Sequence, residues 1–107
     1  MTITEKAQNF LLTADLRCAK MRHCAAALGL SPDRLRRTLA AERANYSRML
    51  EAERKRRCTE YIEKGGKLYG GAIARVCGYK TEKEACVMFK RWYGVGTSDA
   101  RVSRRQA

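Results

Sequence analysis

The sequence predicts an all-α fold made of two similar halves. Three observations carry this. Apolar residues recur with the helical period along most of the chain, no segment sustains the apolar–polar alternation of a strand, and one pattern of alanine, glycine, cap and apolar anchors occurs twice.

The elements follow in order. Ile3, Ala7, Phe10, Leu11 and Ala14 lie on one face of a first helix, and Thr2 with Glu5 spells a capping box at its start. Residues 15–20 read as a short connection. A small helix then runs from Met21 to Leu28 and stops at Gly29. Ser31-Pro32 starts the third helix as cap and first-turn proline, with Leu35 and Leu39 inward and Asp33, Arg34, Arg36, Arg37 and Ala40 elsewhere. A long amphipathic helix covers Tyr46–Glu63, with Tyr46, Met49, Leu50, Cys58, Tyr61 and Ile62 on one side and Arg48, Lys55 and Arg56 off it. Lys64-Gly65-Gly66 ends it. A short helix over Gly71–Cys77 stops at Gly78, and a last one runs over Glu82–Tyr93 behind the cap Thr81, with Ala85, Met88, Phe89 and Trp92 at core spacing. Gly94 and Gly96 close it. The polar tail TSDARVSRRQA, with Arg101, Arg104 and Arg105, is expected to fray.

Composition narrows the function. With 107 residues the chain is one compact unit or two very small ones, and 45% apolar residues suffice for a core. Lys and Arg number 23 against 11 acids, a formal charge of +12. Such an excess suits a polyanion, because each Lys or Arg on a phosphate releases condensed counterions. No stretch approaches the roughly 18 uninterrupted apolar residues of a membrane span, and no apolar signal core follows the N-terminus. The five cysteines lack close pairs, which points to free thiols in a reducing cytoplasm and away from a metal site. Cys24, Cys58, Cys77 and Cys86 lie at small or apolar helix positions and read as packing residues. One His, read as exposed, and no Gly-rich phosphate loop leave few groups for catalysis, so neither an enzyme nor a cofactor is expected.

The two copies of the repeat are CAAALGLSPDRLRRTL (24–39) and IARVCGYKTEKEACVMF (73–89). Ala25 and Ala74 each precede a glycine by four, and Ser31, Leu35 and Leu39 match Thr81, Ala85 and Phe89. Two helices crossing steeply through a short turn need a small residue where they touch. The turn needs the positive φ that glycine adopts without strain, hence Gly29 and Gly78. The second helix then needs a cap and inward apolar anchors. This is helix-turn-helix grammar, in which the second helix enters the major groove.

The order ALGLSPDRLRRTLAAE, a long helix carrying Arg54 and a small residue at 58, and then IARVCGY and MFKRWYGV resembles the AraC/XylS-type DNA-binding domain over roughly residues 5–101. The resemblance implies two helix-turn-helix units joined by a linker helix, here 1–45, 46–64 and 65–101 with a basic tail at 102–107. It further implies a bacterial or phage transcription regulator that reads two successive major-groove segments. The sequence departs from the family pattern at Ala85 and Ala100, where aromatics are usual, at Val87, often Arg, and at Thr97, usually Pro. The loss of two large anchors predicts looser packing in the second unit.

The resemblance places base contacts on Asp33, Arg36 and Arg37, the two arginines suiting bidentate contact with guanine. Arg34 is assigned to phosphate. Asp33 also fits a plain role as an acid in the first helical turn. On the second unit the equivalent surface holds Lys80, Thr81, Glu82, Lys83, Glu84 and Val87, while Lys90 and Arg91, ending the helix, favour its C-terminal dipole or meet backbone phosphates. Lys83 is its strongest candidate; Val87 suits a thymine methyl and the acids suit cytosine, or else the acids serve the helix dipole. Arg54 is assigned a structural role, whereas Lys55, Arg56 and Arg57 are either phosphate contacts or a solvated face.

The expectation is therefore a stand-alone cytoplasmic protein that binds double-stranded DNA as a monomer at an asymmetric site and regulates transcription. Single-stranded RNA is disfavoured by the lack of exposed aromatic platforms. The alternative is an interaction protein whose acidic second face, Glu82 and Glu84, docks on RNA polymerase or a partner regulator, the first unit adding only non-specific DNA affinity.

Overall fold

The computed structural model describes residues 1–106 and, among them, holds seven α-helices and no strand. The helices are α1 (Ile3–Thr13), α2 (Met21–Ala27), α3 (Pro32–Ala41), α4 (Tyr46–Glu63), α5 (Gly70–Cys77), α6 (Glu82–Tyr93) and α7 (Thr97–Gln106). No helix among the described residues is long and apolar enough to cross a membrane. The chain divides into two compact units, Met1–Glu53 and the residues from Arg54 on, so the boundary falls inside α4.

In the first unit the core is Ala7, Leu11, Leu16, Ala19, Cys24, Ala25, Leu35, Leu39 and Tyr46. The connection after α1 is itself ordered as a short 3-10 turn, Leu16–Cys18. Asp15 caps it by accepting the Arg17 N–H at 3.0 Å, and Leu16 is thereby buried. Tyr46 buries its ring while its hydroxyl donates to the Ala19 carbonyl at 2.6 Å. α3 closes with Arg43 at φ 62°, a left-handed position more usual for glycine, and the Ala44 N–H returns to the Leu39 carbonyl at 2.8 Å.

The second core is Cys58, Leu68, Ile73, Ala74, Cys77, Tyr79, Ala85 and Phe89, with Met88, Trp92 and Ala100 packed against it. The expected looseness at Ala85 is not seen there. Ala85 is fully buried, and the same unit holds two ring pairs: Phe89 and Tyr93 have centroids 4.8 Å apart, Tyr79 and Trp92 6.3 Å.

Residues 97–106, expected to fray, form α7 instead. The reason is long-range. Arg101 lies over the Tyr69 ring at 4.5 Å and donates to the Leu68 carbonyl at 2.6 Å, and Arg104 donates to the carbonyls of Gly66 and Ile62. These two arginines, three apart on one helix face, satisfy backbone acceptors at and beyond the end of α4. Ala107 and the side chain of Arg105 lie outside the described residues.

The repeat is present in both units. Ala25 and Ala74 are buried, and the carbonyl of each accepts the N–H of the residue after the turn glycine, Leu30 and Tyr79, at 2.9 Å in both. Gly29 and Gly78 have φ of 71° and 79°. Ser31 and Thr81 then cap α3 and α6, each accepting an N–H three residues on at 3.2 Å. Leu35 and Leu39 in one unit, Ala85 and Phe89 in the other, are the buried anchors.

Candidate nucleic-acid interface

Because Leu35 and Leu39 fix the inner face of α3, its outer face presents Asp33, Arg34, Arg36 and Arg37, all exposed. Three of these form one cluster. Arg36 Nη2 lies 2.6 Å from Asp33 Oδ1 and Arg37 Nη2 lies 2.9 Å from Asp33 Oδ2, with all three side chains more than half exposed. The hydrogen bond from Arg36, then the charge of Arg37, holds the Asp33 carboxyl below the usual carboxylate range. The i, i+3 and i, i+4 spacing of these residues is legible in the sequence; that one carboxylate meets both arginines is what the structure adds.

On α6 the candidates sort into two groups. Thr81 and Glu84 are engaged with each other: the Thr81 hydroxyl accepts the Glu84 N–H and donates to Glu84 Oε1 at 3.1 Å. Thr81-x-x-Glu84 has the spelling of a capping box, and here the Glu84 carboxylate accepts the Thr81 hydroxyl. Glu82 lies against the first turn of α5, so close that a Cβ on Gly71 would stand 2.8 Å from Glu82 Oε1. An acid there is favoured by the N-terminal end of the α5 dipole. The second group is exposed. Lys83, Val87 and Lys90 follow the i, i+4, i+7 spacing of one helix face opposite Ala85 and Phe89, and Val87 is 59% exposed. Lys80 stands exposed just before the helix.

The basic stretch of α4 divides as well. Arg54 is half-buried with its guanidinium 4.5 Å over the Tyr79 ring, a structural placement inside the second unit. Arg56, Arg57, Glu60, Tyr61, Lys64 and Val76 line an open depression of about 330 Å³. Glu60 bridges Arg56 at 2.9 Å and Lys64 at 2.8 Å; the Lys64 contact is the main reason its carboxyl sits low.

Cys24, Cys58 and Cys77 are buried in the two cores. Burial pushes the Cys24 thiol up to about 11, and Cys77 is raised by its hydrogen bond with Cys58 and by burial. A buried, raised thiol such as Cys24 is an inert packing residue, whereas the hydrogen bond with Cys77 lowers Cys58 to about 7. Among the described residues no three His, Cys, Asp or Glu converge to hold a metal ion. His23 is half-buried rather than exposed, because its Nδ1 accepts the Lys20 N–H at 3.2 Å where α2 begins.

No protein-family model matches the chain, and no curated protein matches it in sequence. Among solved structures it is similar to a DNA-binding transcriptional dual regulator from Escherichia coli K-12. The match has a TM-score of 0.78 at 20% identity and covers 96% of this chain and 98% of that one. The likeness is one of fold.

Proposed function

We propose that this chain is a DNA-binding transcriptional regulator of the AraC/XylS type. In this reading α2–α3 and α5–α6 are its two helix-turn-helix units, and α4 is the linker between them. α3 and α6 lie in successive major-groove segments of one duplex, which the protein engages as a monomer. The observation that carries the reading is the repeat itself. The same turn, cap and buried anchors leave an outward helix face in each unit, and those faces hold Arg36 and Arg37 in one and Lys83, Val87 and Lys90 in the other. The charge of +12 and the fold shared with a DNA-binding transcriptional dual regulator support it. The competing reading, a protein-docking acidic face, rests on Glu82 and Glu84; the Glu84 carboxylate accepts the Thr81 hydroxyl and Glu82 lies against the first turn of α5.

The test is selection from a pool of random duplexes, with the winner and a scrambled duplex compared across salt. A winner bound at least about a thousandfold tighter than the scramble, with a bipartite consensus about one helical turn apart, is the expected result. Equal affinity for both duplexes overturns it.

A further inference from the structure

We propose that Asp33 is a positioning residue: its carboxylate holds Arg36 and Arg37 as a fixed pair on the outer face of α3 and so sets how strongly the first unit prefers base edges over bare phosphate. This rests on the DNA-binding reading above and assigns Asp33 a task other than touching a base.

The geometry is specific. One carboxylate serves two guanidinium groups through different oxygens, Oδ1 to Arg36 and Oδ2 to Arg37. The helix start does not need Asp33 as its cap, because Ser31 Oγ already accepts the Arg34 N–H. Nor is the cluster a buried remnant of packing, since all three side chains are solvent-exposed. Each arginine gives one terminal nitrogen to Asp33 and keeps its other N–H donors, enough to address a guanine edge.

Two consequences follow. An untethered arginine loses rotamer freedom when it binds, whereas a tethered one has lost part of it beforehand, so the productive contact is favoured. The carboxylate also opposes the competing contact. It is acceptor-only, repels phosphate oxygens and cancels one of two positive charges, which weakens sequence-independent binding most. Like any exposed carboxylate it is ionised at neutral pH, and Arg36 and Arg37 lower its pKa further.

The experiment uses the full chain, the selected duplex and its scramble, with Asp33→Asn and Asp33→Glu. Circular dichroism melts establish that both variants remain folded. Asp33→Asn is expected to bind the scramble about three- to tenfold tighter, with a salt slope steeper by about one, while discrimination falls about tenfold. Asp33→Glu still reaches both arginines and is expected to restore discrimination. An unchanged ratio in Asp33→Asn overturns the inference. So does reselection with that variant that alters a single base pair, because Asp33 would then read a base directly. A wild-type chain that binds both duplexes equally removes the regulator reading and this inference together, whereas the first two outcomes leave that reading standing.

Discussion

Glu42 shows how one side chain joins segments far apart in sequence. Its carboxylate accepts the Thr4 N–H at 2.8 Å, the Thr4 hydroxyl and, at 3.4 Å, the Ile3 N–H, which fastens the end of α3 to the open N-terminus of α1. Those hydrogen bonds, led by the Thr4 hydroxyl, lower its pKa in the folded chain. A depressed carboxyl stabilises the fold above its unfolded pKa of about 4.3, and that stabilisation is lost as pH falls through the folded value. Glu42→Gln is therefore expected to melt at a lower temperature at neutral pH and to lose less stability on acidification. Thermal melts from pH 7 down to about pH 3 check this, and parallel curves for the two proteins count against it.

The caps and the final helix are features of whole elements. Ser31 and Thr81 take equivalent hydrogen bonds at the starts of α3 and α6, so Ser31→Ala and Thr81→Ala should each cost about 1 kcal/mol in denaturant unfolding. A Thr81→Ala variant that keeps wild-type stability but loses DNA binding would move Thr81 from the cap to the interface. In α7, Arg101 and Arg104 together answer the carbonyls of Leu68, Gly66 and Ile62. Replacing both by Ala is expected to cost about 1 kcal/mol for each arginine and to raise hydrogen exchange first in α7. The sequence showed α3 and α6 because their apolar faces have the helical period and their ends carry glycine or a cap, and α4 because a long run without Gly or Pro ends at Gly65-Gly66. It hid α7, a largely polar helix with Ala100 packed against the core, which is held by arginines on carbonyls thirty-three or more positions away.

For the molecule on DNA, the two outward helix faces should behave differently. Arg36→Ala is expected to cost about 1–3 kcal/mol of discrimination at one base pair while leaving the remainder of the site preference intact. Lys83→Ala is expected to weaken the selected and scrambled duplexes alike and to lower the salt slope by about one. Titrations at several salt concentrations separate the two. A loss of discrimination in Lys83→Ala would instead make α6 a base reader through its lysine.

By itself, the sequence determined the all-α fold, the order of its principal helices and the doubled turn at Gly29 and Gly78, because helical periodicity, caps and left-handed glycines are local signals. The exposed basic residues of α3 and α6 were legible for the same reason, being the positions that the apolar period leaves over. The spacing that lets Asp33 meet both arginines and Thr81 meet Glu84 is local too, three or four residues along one helix. Tertiary structure alone decided the long-range placements: it laid Glu82 against α5 and docked α7 through Arg101 and Arg104. Each of these outcomes depends on which donor meets which acceptor after the chain has folded, and the period of a helix sets only the side of the helix on which a residue waits.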